Sequence, residues 1–188
     1  VFEVEVYLPS DDSFLLVECI KKENLSSKKC LDMGCGSGVE SEAMLLSGAK
    51  SVLAVDINPS AVIETNKRIK TSFHGHIQKL FSAKKSNLFS NVKDKFDFIA
   101  FNPPYVPSDE IKWVDLDGGE EGREIIDKFI PLAKKHLNKN GVLLLLITSL
   151  NKPSVVKKIL KKNGFSVKIV GKKKLFFEEL LVLKCIMV

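Results

Sequence analysis

Asn102-Pro103-Pro104-Tyr105 is the segment of this 188-residue chain best suited to hold a reacting group. Consecutive prolines fix their own φ and push Asn102 and Pro103 away from helical geometry. The Asn102 side-chain oxygen and the Pro103 main-chain carbonyl can then converge, accept both hydrogens of one NH2 group, and aim its nitrogen at an electrophile. The flat face of Tyr105 can pack on a planar amide or base. Such a site suits methyl transfer to an amide or amine nitrogen. The transfer is an in-line displacement, and an amide nitrogen is a poor nucleophile because its lone pair is delocalised, so orientation supplies much of the rate. Carbonyl oxygens also stabilise positive charge developing on the attacking nitrogen. No general base is evident, and none is required before the attack.

The electrophile has a candidate site in Asp32, Gly34, Gly36 and Gly38, where glycines let the backbone approach a ligand closely. A phosphate-cradling loop would need Gly-Lys-Ser/Thr, and the lysine is missing. A dinucleotide loop would place its third glycine where Val39 stands. S-adenosylmethionine fits better: it has no pyrophosphate, and Asp32 would repel a phosphate yet suits an ammonium and a sulfonium. Asp56 then sits where a carboxylate can accept hydrogen bonds from both hydroxyls of a ribose, a role shared by dinucleotide and adenosylmethionine sites. Asp32 and Asp56 could instead simply cap the helices that follow them.

These segments need strands that end at one edge of a sheet, and the pattern supplies them. Helical and strand patterns alternate along the chain, which predicts an α/β fold with a mostly parallel sheet. A helix is expected from Ser10-Asp11-Asp12 to about Lys22, a strand over Lys29 to Met33, a helix from Val39 to about Leu46, and a strand over Ser51 to Ile57. Asn58-Pro59-Ser60 caps a helix reaching about Lys70. A short strand around His76 to Leu80 and a loop near Asn87 come next. The apolar strand Phe96 to Phe101 feeds directly into Asn102. After a long loop come a helix over Gly122 to Leu137, a turn at Asn140-Gly141, a strand over Val142 to Ile147 and a helix over Lys152 to Lys162. Strands Ser166 to Val170 and Phe176 to Lys184, with Gly171 between them, look like an antiparallel pair. One domain over residues 1–188 is expected.

Composition narrows the setting. The hydrophobic content of 45% and charged content of 28% are those of an ordinary globular chain. The net charge of +6 comes from lysines spread along the chain, which reads as a solvated helix surface or as a basic face that steers toward nucleic acid or a ribosome-associated target. The four cysteines form no C-x-x-C pair and no zinc pattern, so no metal is expected. No leader is visible and the apolar runs are too short to span a bilayer, so a cytoplasmic protein with no membrane contact is expected. His74, His76 and His136 lack an acid or nucleophile at suggestive spacing, Cys35 reads as a small filler, and Trp113 as core or partner surface. Arg123 could meet a partner or make a local ion pair.

Tyr7-Leu8-Pro9-Ser10-Asp11-Asp12-Ser13, Asp32 to Gly38, Asp56-Ile57-Asn58-Pro59, Asn102 to Tyr105, Gly118 to Glu124 and Phe176 to Leu180 together resemble the archaeal and eukaryotic branch of the release-factor glutamine N5-methyltransferases, a class I methyltransferase group related to the HemK/PrmC enzymes. The resemblance implies a three-layer Rossmann-like fold with a seven-stranded, mostly parallel sheet and a C-terminal antiparallel strand pair. It implies N5-methylation of the glutamine in the Gly-Gly-Gln loop of a translation release factor, and a small zinc-ribbon activator pairing with the sheet edge in a heterodimer. By the same resemblance Ser13, Asp32, Gly34, Asp56, Asn87, Leu88 and Asn102 would contact S-adenosylmethionine, and Asn102 would also hold the target glutamine. Leu8 replaces the family's usual Glu, and Asn87 its usual Asp. Adenine-N6 methylation of DNA or RNA is the competing reading, because that exocyclic amine makes the same hydrogen bonds. Base flipping usually needs extra target-reading structure, for which a compact domain leaves little room. Protein lysine methylation is a lesser alternative.

Overall fold

The computed structural model describes residues 6–107 and 118–188. Thirteen elements follow one another: α1 (Asp11–Ile20), β1 (Lys29–Met33), α2 (Val39–Leu46), β2 (Ser51–Asp56), α3 (Pro59–Ser72), α4 (His76–Lys79), β3 (Phe81–Lys85), β4 (Phe96–Phe101), α5 (Glu124–His136), β5 (Leu137–Thr148), α6 (Pro153–Lys162), β6 (Phe165–Lys174) and β7 (Glu179–Met187). A short 3-10 turn, Ser149–Asn151, joins β5 to α6. The strands form a seven-stranded sheet in the order β3-β2-β1-β4-β5-β7-β6. β1 to β5 run parallel, and β7 is antiparallel to both β5 and β6. This is the expected class I methyltransferase architecture.

The central strands are buried on both faces, so they read as continuous apolar runs rather than as alternations. Along β5, Leu143, Leu145 and Ile147 join Phe129 and Ile126 of α5 in one core. Leu144 and Leu146 join Leu16 and Ile20 of α1 and Met44 of α2 in the other. Strand order reverses between β1 and β4, the place where open α/β sheets leave a crevice beyond their carboxyl ends. Met33 pairs in register with Phe101, so Gly34 and Asn102 leave the sheet side by side.

Two stretches differ from the sequence reading. The segment expected as a strand around His76 to Leu80 is the helical turn α4, and β3 follows it at Phe81–Lys85. A short, mixed segment has too few residues to display a period; the structure selects Phe81–Lys85 because it lies in register along Ser51–Asp56. Gly171 does not separate the last two strands. It lies within β6 beside a shift in pairing, and the turn comes later, closed by the Leu175 amide donating to the Glu178 carbonyl at 2.8 Å. Phe176 and Phe177 therefore sit at the turn, 92% and 88% exposed, rather than in β7. Trp113 lies outside the described residues.

Packing rather than turning is what selects glycine at position 171. A Cβ there would stand 2.6 Å from Cys19 Sγ and 3.3 Å from Leu15 Cδ1, both on the helix lying over this part of the sheet. Gly171→Ala should lower stability by about 1–3 kcal/mol through overpacking, measured as an earlier urea midpoint with an unchanged slope.

Candidate active site

A cavity opens at the carboxyl ends of β1, β2 and β4. Ser13, Gly34, Gly36 and Asp56 line one part of it, Asn87 and Leu88 another, and Asn102, Pro103, Pro104 and Tyr105 a third. Every residue singled out for a site thus lines this cavity except Asp32 and Gly38.

The glycine loop is shaped by its backbone. Gly34, Gly36 and Gly38 all have positive φ, at 66°, 46° and 83°, which residues with a Cβ rarely adopt. Gly38 is also close-packed: a Cβ would meet Thr65 Cγ2 at 2.8 Å. The amides of Gly34 and Cys35 both donate to the Val55 carbonyl, at 2.8 and 3.0 Å, tying the loop to the end of β2. Asp56 completes the tie. One carboxylate oxygen accepts from the Gly36 amide at 3.0 Å and the other from the Asn58 amide at 2.8 Å. Each oxygen keeps a second lone pair, so Asp56 can still receive two hydroxyls. The capping role belongs to Asn58, whose side chain accepts from the Ser60 amide.

Asp32 lies buried near the end of β1. It is 2% exposed, accepts from the Ser41 hydroxyl at 2.5 Å, and does not line the cavity wall. Burial pushes its carboxyl up to about 7, while the Ser41 hydrogen bond opposes that shift. Glu40, one residue before Ser41, lines the cavity instead.

Asn87 and Leu88 are carried by a loop wound around the Ser86 hydroxyl, which donates to the Leu88 carbonyl at 2.7 Å and accepts from the Asn91 amide at 3.0 Å. Leu88 holds a left-handed φ of 48°, costing on the order of 1 kcal/mol. The Ser86 amide donates to the Asp56 carbonyl at 2.8 Å, fixing this loop beside the ribose-binding candidate.

Around the Asn-Pro-Pro-Tyr turn the organising group is Asp12. Asn102 Nδ2 donates to it at 3.1 Å and the Tyr105 hydroxyl at 3.0 Å. The Tyr7 hydroxyl lies 3.1 Å from both of its oxygens, and the Ser13 amide 2.6 Å from one. Burial, then the Asp12 charge, pushes the Tyr7 phenol up to about 12, and Tyr105 shifts in the same direction for the same reasons. Both phenols therefore stay protonated as donors. A carboxylate only accepts, so the Asn102 amide must present its nitrogen to Asp12 and its oxygen to the other side. That oxygen, Oδ1, is buried and has no hydrogen-bond partner among the described residues. Tyr105 is thus anchored by its hydroxyl as well as offering a ring face.

Sequence reasoning missed Asn151, which clamps this turn from the far side. Its Nδ2 donates to the carbonyls of Tyr105 and Gly122, both at 2.8 Å, and its Oδ1 accepts from the Thr148 amide at 2.8 Å. Arg123 makes local ion pairs, with Asp127 at 2.7 Å and with Glu121. His136 packs, its ring stacked on Phe89 at 4.2 Å between centroids, and Cys35 is a buried filler.

The comparisons with known proteins bear on the family and the fold. The family model described as the methyltransferase small domain matches residues 10–177. A Methanocaldococcus jannaschii protein, provisionally named a protein N5-glutamine methyltransferase, is 40% identical over 185 residues, which span 95% of this chain and 90% of that one. The chain belongs to the protein N5-glutamine methyltransferase family. Another relative is the human methyltransferase HEMK2, 33% identical over 174 residues, covering 85% of this methyltransferase and 79% of HEMK2. Among solved structures, the E. cuniculi Mtq2-Trm112 complex, described as responsible for methylating the termination factor eRF1, contains a chain that superposes with a TM-score of 0.78 at 27% identity, covering 97% of this chain and 99% of that one.

The donor of this methyltransferase is S-adenosylmethionine, and the cavity suits it. Asp12, Glu40 and Asp56 are among the lining residues, and among the described residues no lysine or arginine is, a wall that favours a cation and disfavours a phosphate.

Asp32 makes a testable contribution to stability. Its carboxyl is raised from 3.8 to about 7 by folding, so between those values the unfolded chain ionises it while the folded chain does not. The folded state then binds more protons, and stability without donor must fall as pH rises through that window. Asp32→Asn should flatten this part of the stability–pH curve in donor-free urea melts between pH 4 and 7; an unchanged slope contradicts the assignment.

Proposed function

We propose that this methyltransferase, working as one catalytic domain, transfers the methyl group of S-adenosylmethionine to the side-chain amide nitrogen of a glutamine in the Gly-Gly-Gln loop of a translation release factor. The observation that carries the reading is Asn102 Oδ1, a buried acceptor with no partner, aimed away from Asp12. Such an atom is costly to leave bare, and an incoming amide N–H satisfies it. The Pro103 carbonyl, which accepts no backbone hydrogen bond among the described residues, is the second acceptor for the same NH2 group.

The chemistry follows from those contacts. S-adenosylmethionine supplies an electrophilic methyl on a positively charged sulfur, which departs as a neutral thioether. Asn102 Oδ1 and the Pro103 carbonyl hold the two N–H bonds and so fix the direction of the nitrogen lone pair. Asp12 accepts from Asn102 Nδ2 and polarises that amide, making Oδ1 a stronger acceptor as positive charge grows on the nitrogen. Tyr105, pinned by its hydroxyl to Asp12, offers its ring to the planar amide. The new N–C bond uses the nitrogen lone pair, and one N–H proton leaves to solvent afterwards. Ser13, Gly34, Gly36, Asp56, Asn87 and Leu88 bind the donor, with Asp56 on the ribose hydroxyls; Asp32 acts from behind the wall.

We also infer a small zinc-ribbon activator that pairs with the free edge of β3. The solved complex named above supports a protein partner. Beside β3, Ile63 of α3 and Ile77 of α4 are exposed, at 68% and 42%, and an uncovered strand edge invites pairing. Four buried free cysteines suit the reducing cytoplasm, and no helix among the described residues is long and apolar enough to cross a membrane.

Labelled S-adenosylmethionine should label a release factor, but neither its loop Gln→Ala variant nor DNA; label appearing on DNA alone rejects the acceptor assignment. Asn102→Ala should slow transfer by about 100-fold or more while leaving donor affinity within a few fold, as read by calorimetry. Transfer near the wild-type rate would remove Asn102 from the mechanism. For the partner, the material co-purifying with the chain should contain stoichiometric zinc in a small protein; a retained partner free of zinc refutes the ribbon.

A further inference from the structure

Glu40 is not explained by the fold around it. It stands in the first turn of α2, is only 6% exposed, and lines the cavity. Among the described residues its buried Oε1 has no hydrogen-bond partner. A lone buried carboxyl opposes folding, and such groups persist where a ligand completes them.

Its surroundings specify the ligand's charge. Asp32 on β1 and Asp12 on α1 repel a further negative charge at Glu40, and Tyr7, preceding α1, faces it with a phenol. Among the described residues Arg68 on α3 is the one attractive charge acting on it, but that guanidinium is engaged elsewhere, donating to the Ser37 carbonyl at 2.6 Å and to Glu42 at 2.9 Å. Among the described residues, therefore, the acid-rich wall has no cation committed to it. Among the described residues no group of His, Cys, Asp and Glu is arranged to hold a metal ion. The cation that the reaction itself brings is the methionine portion of the donor, with its ammonium and sulfonium. Asp32 is engaged by Ser41 and absent from the wall.

We propose that Glu40 is a carboxylate that faces the cationic methionine portion of S-adenosylmethionine, and that donor binding expels a proton from the Asp32–Glu40 pair. Burial, followed by the Asp32 charge, raises the Glu40 carboxyl well above its usual range, and Asp32 is raised to about 7. Two interacting acids titrate as a unit, so before the donor arrives the pair retains a proton near neutral pH. An arriving ammonium favours the ionised form; the O–H bond breaks, its electron pair stays on the carboxylate, and the proton passes to solvent. Glu40 is thus a charge selector in the donor site, and its cost to folding is offset only when the cation is bound. This inference rests on the donor assignment and is independent of the acceptor.

The test is calorimetric titration of the purified chain, with any co-purifying partner, in two buffers of different ionisation heat at pH 7. The probes are S-adenosylmethionine and 5′-methylthioadenosine, which keeps the nucleoside but lacks the ammonium and the sulfonium. The wild type should release protons with the first probe and none with the second. Glu40→Gln should lose the proton release, bind S-adenosylmethionine about tenfold more weakly, and bind 5′-methylthioadenosine as the wild type does. Without donor, the variant should melt at or above the wild-type temperature, and the donor-induced rise should shrink. Equal weakening of both probes, a lower donor-free melting temperature, or undiminished proton release in the variant overturns the proposal. A wild type that binds neither probe removes the donor assignment and this inference together, whereas donor binding without label on a release factor removes only the acceptor reading.

Discussion

The parallel pairing of β1 with β4 is the constraint on which the rest of the molecule depends. It sets Met33 beside Phe101, and the two turns that follow emerge a strand spacing apart. One is shaped by glycines in left-handed conformations, the other by two prolines that refuse a helix. Neither turn could locate the other by itself. The sheet does so by burying both strands on both faces, with Leu31 and Ile99 in one core and Cys30 and Phe98 in the other. Slipping either strand by one residue would exchange those faces, so the core that stabilises the fold also holds the donor and acceptor turns in step.

Around that constraint the polar groups divide into those that hold shape and those left unsatisfied. Asp56 ties the glycine loop to β2, Asn151 ties the Tyr105 carbonyl to the 118–122 segment and to Thr148, and Asp12 gathers the Asn102 amide with two phenols. Asn102 Oδ1 and Glu40 Oε1 are left without partners in the same cavity. One is a neutral acceptor suited to an N–H, the other an acid suited to a cation. Two reactants of complementary chemistry are thereby distinguished by which unsatisfied atom each completes.

Much of this was legible in the sequence because it is local. The Gly34–Gly38 run, Asp56 at a strand end and the Asn102–Tyr105 turn announce their conformations through residues next to one another, and the order of strands and helices followed from their patterns. What was not legible is long-range. Asp12 read only as part of the start of the first helix, and only the docking of α1 brings it to Asn102. Asp32 read as the acid facing the donor, but nothing local announced its bond to Ser41, nine positions later, or that Glu40 would also stand on the cavity wall. Thr148 and Asn151 have the spacing of a capping box around the 3-10 turn, but the two bonds by which Asn151 clamps the carbonyls of Tyr105 and Gly122 reach separate loops and carry no local signal. The His76 to Leu80 segment was too short for a period to separate helix from strand, and Gly171 resembled a turn because a sequence cannot show the Cys19 side chain pressed against it.

The bond from Asn102 to Asp12 spans 90 positions and that from Tyr105 spans 93. Contacts between such distant parts of a chain form slowly, because the intervening loop must close first. During biosynthesis, an emerging chain would have the donor loop and the ribose-side carboxylate in hand well before the acceptor turn exists. Methyl-transfer competence therefore waits on a helix from the first residues closing onto a turn from the middle of the chain.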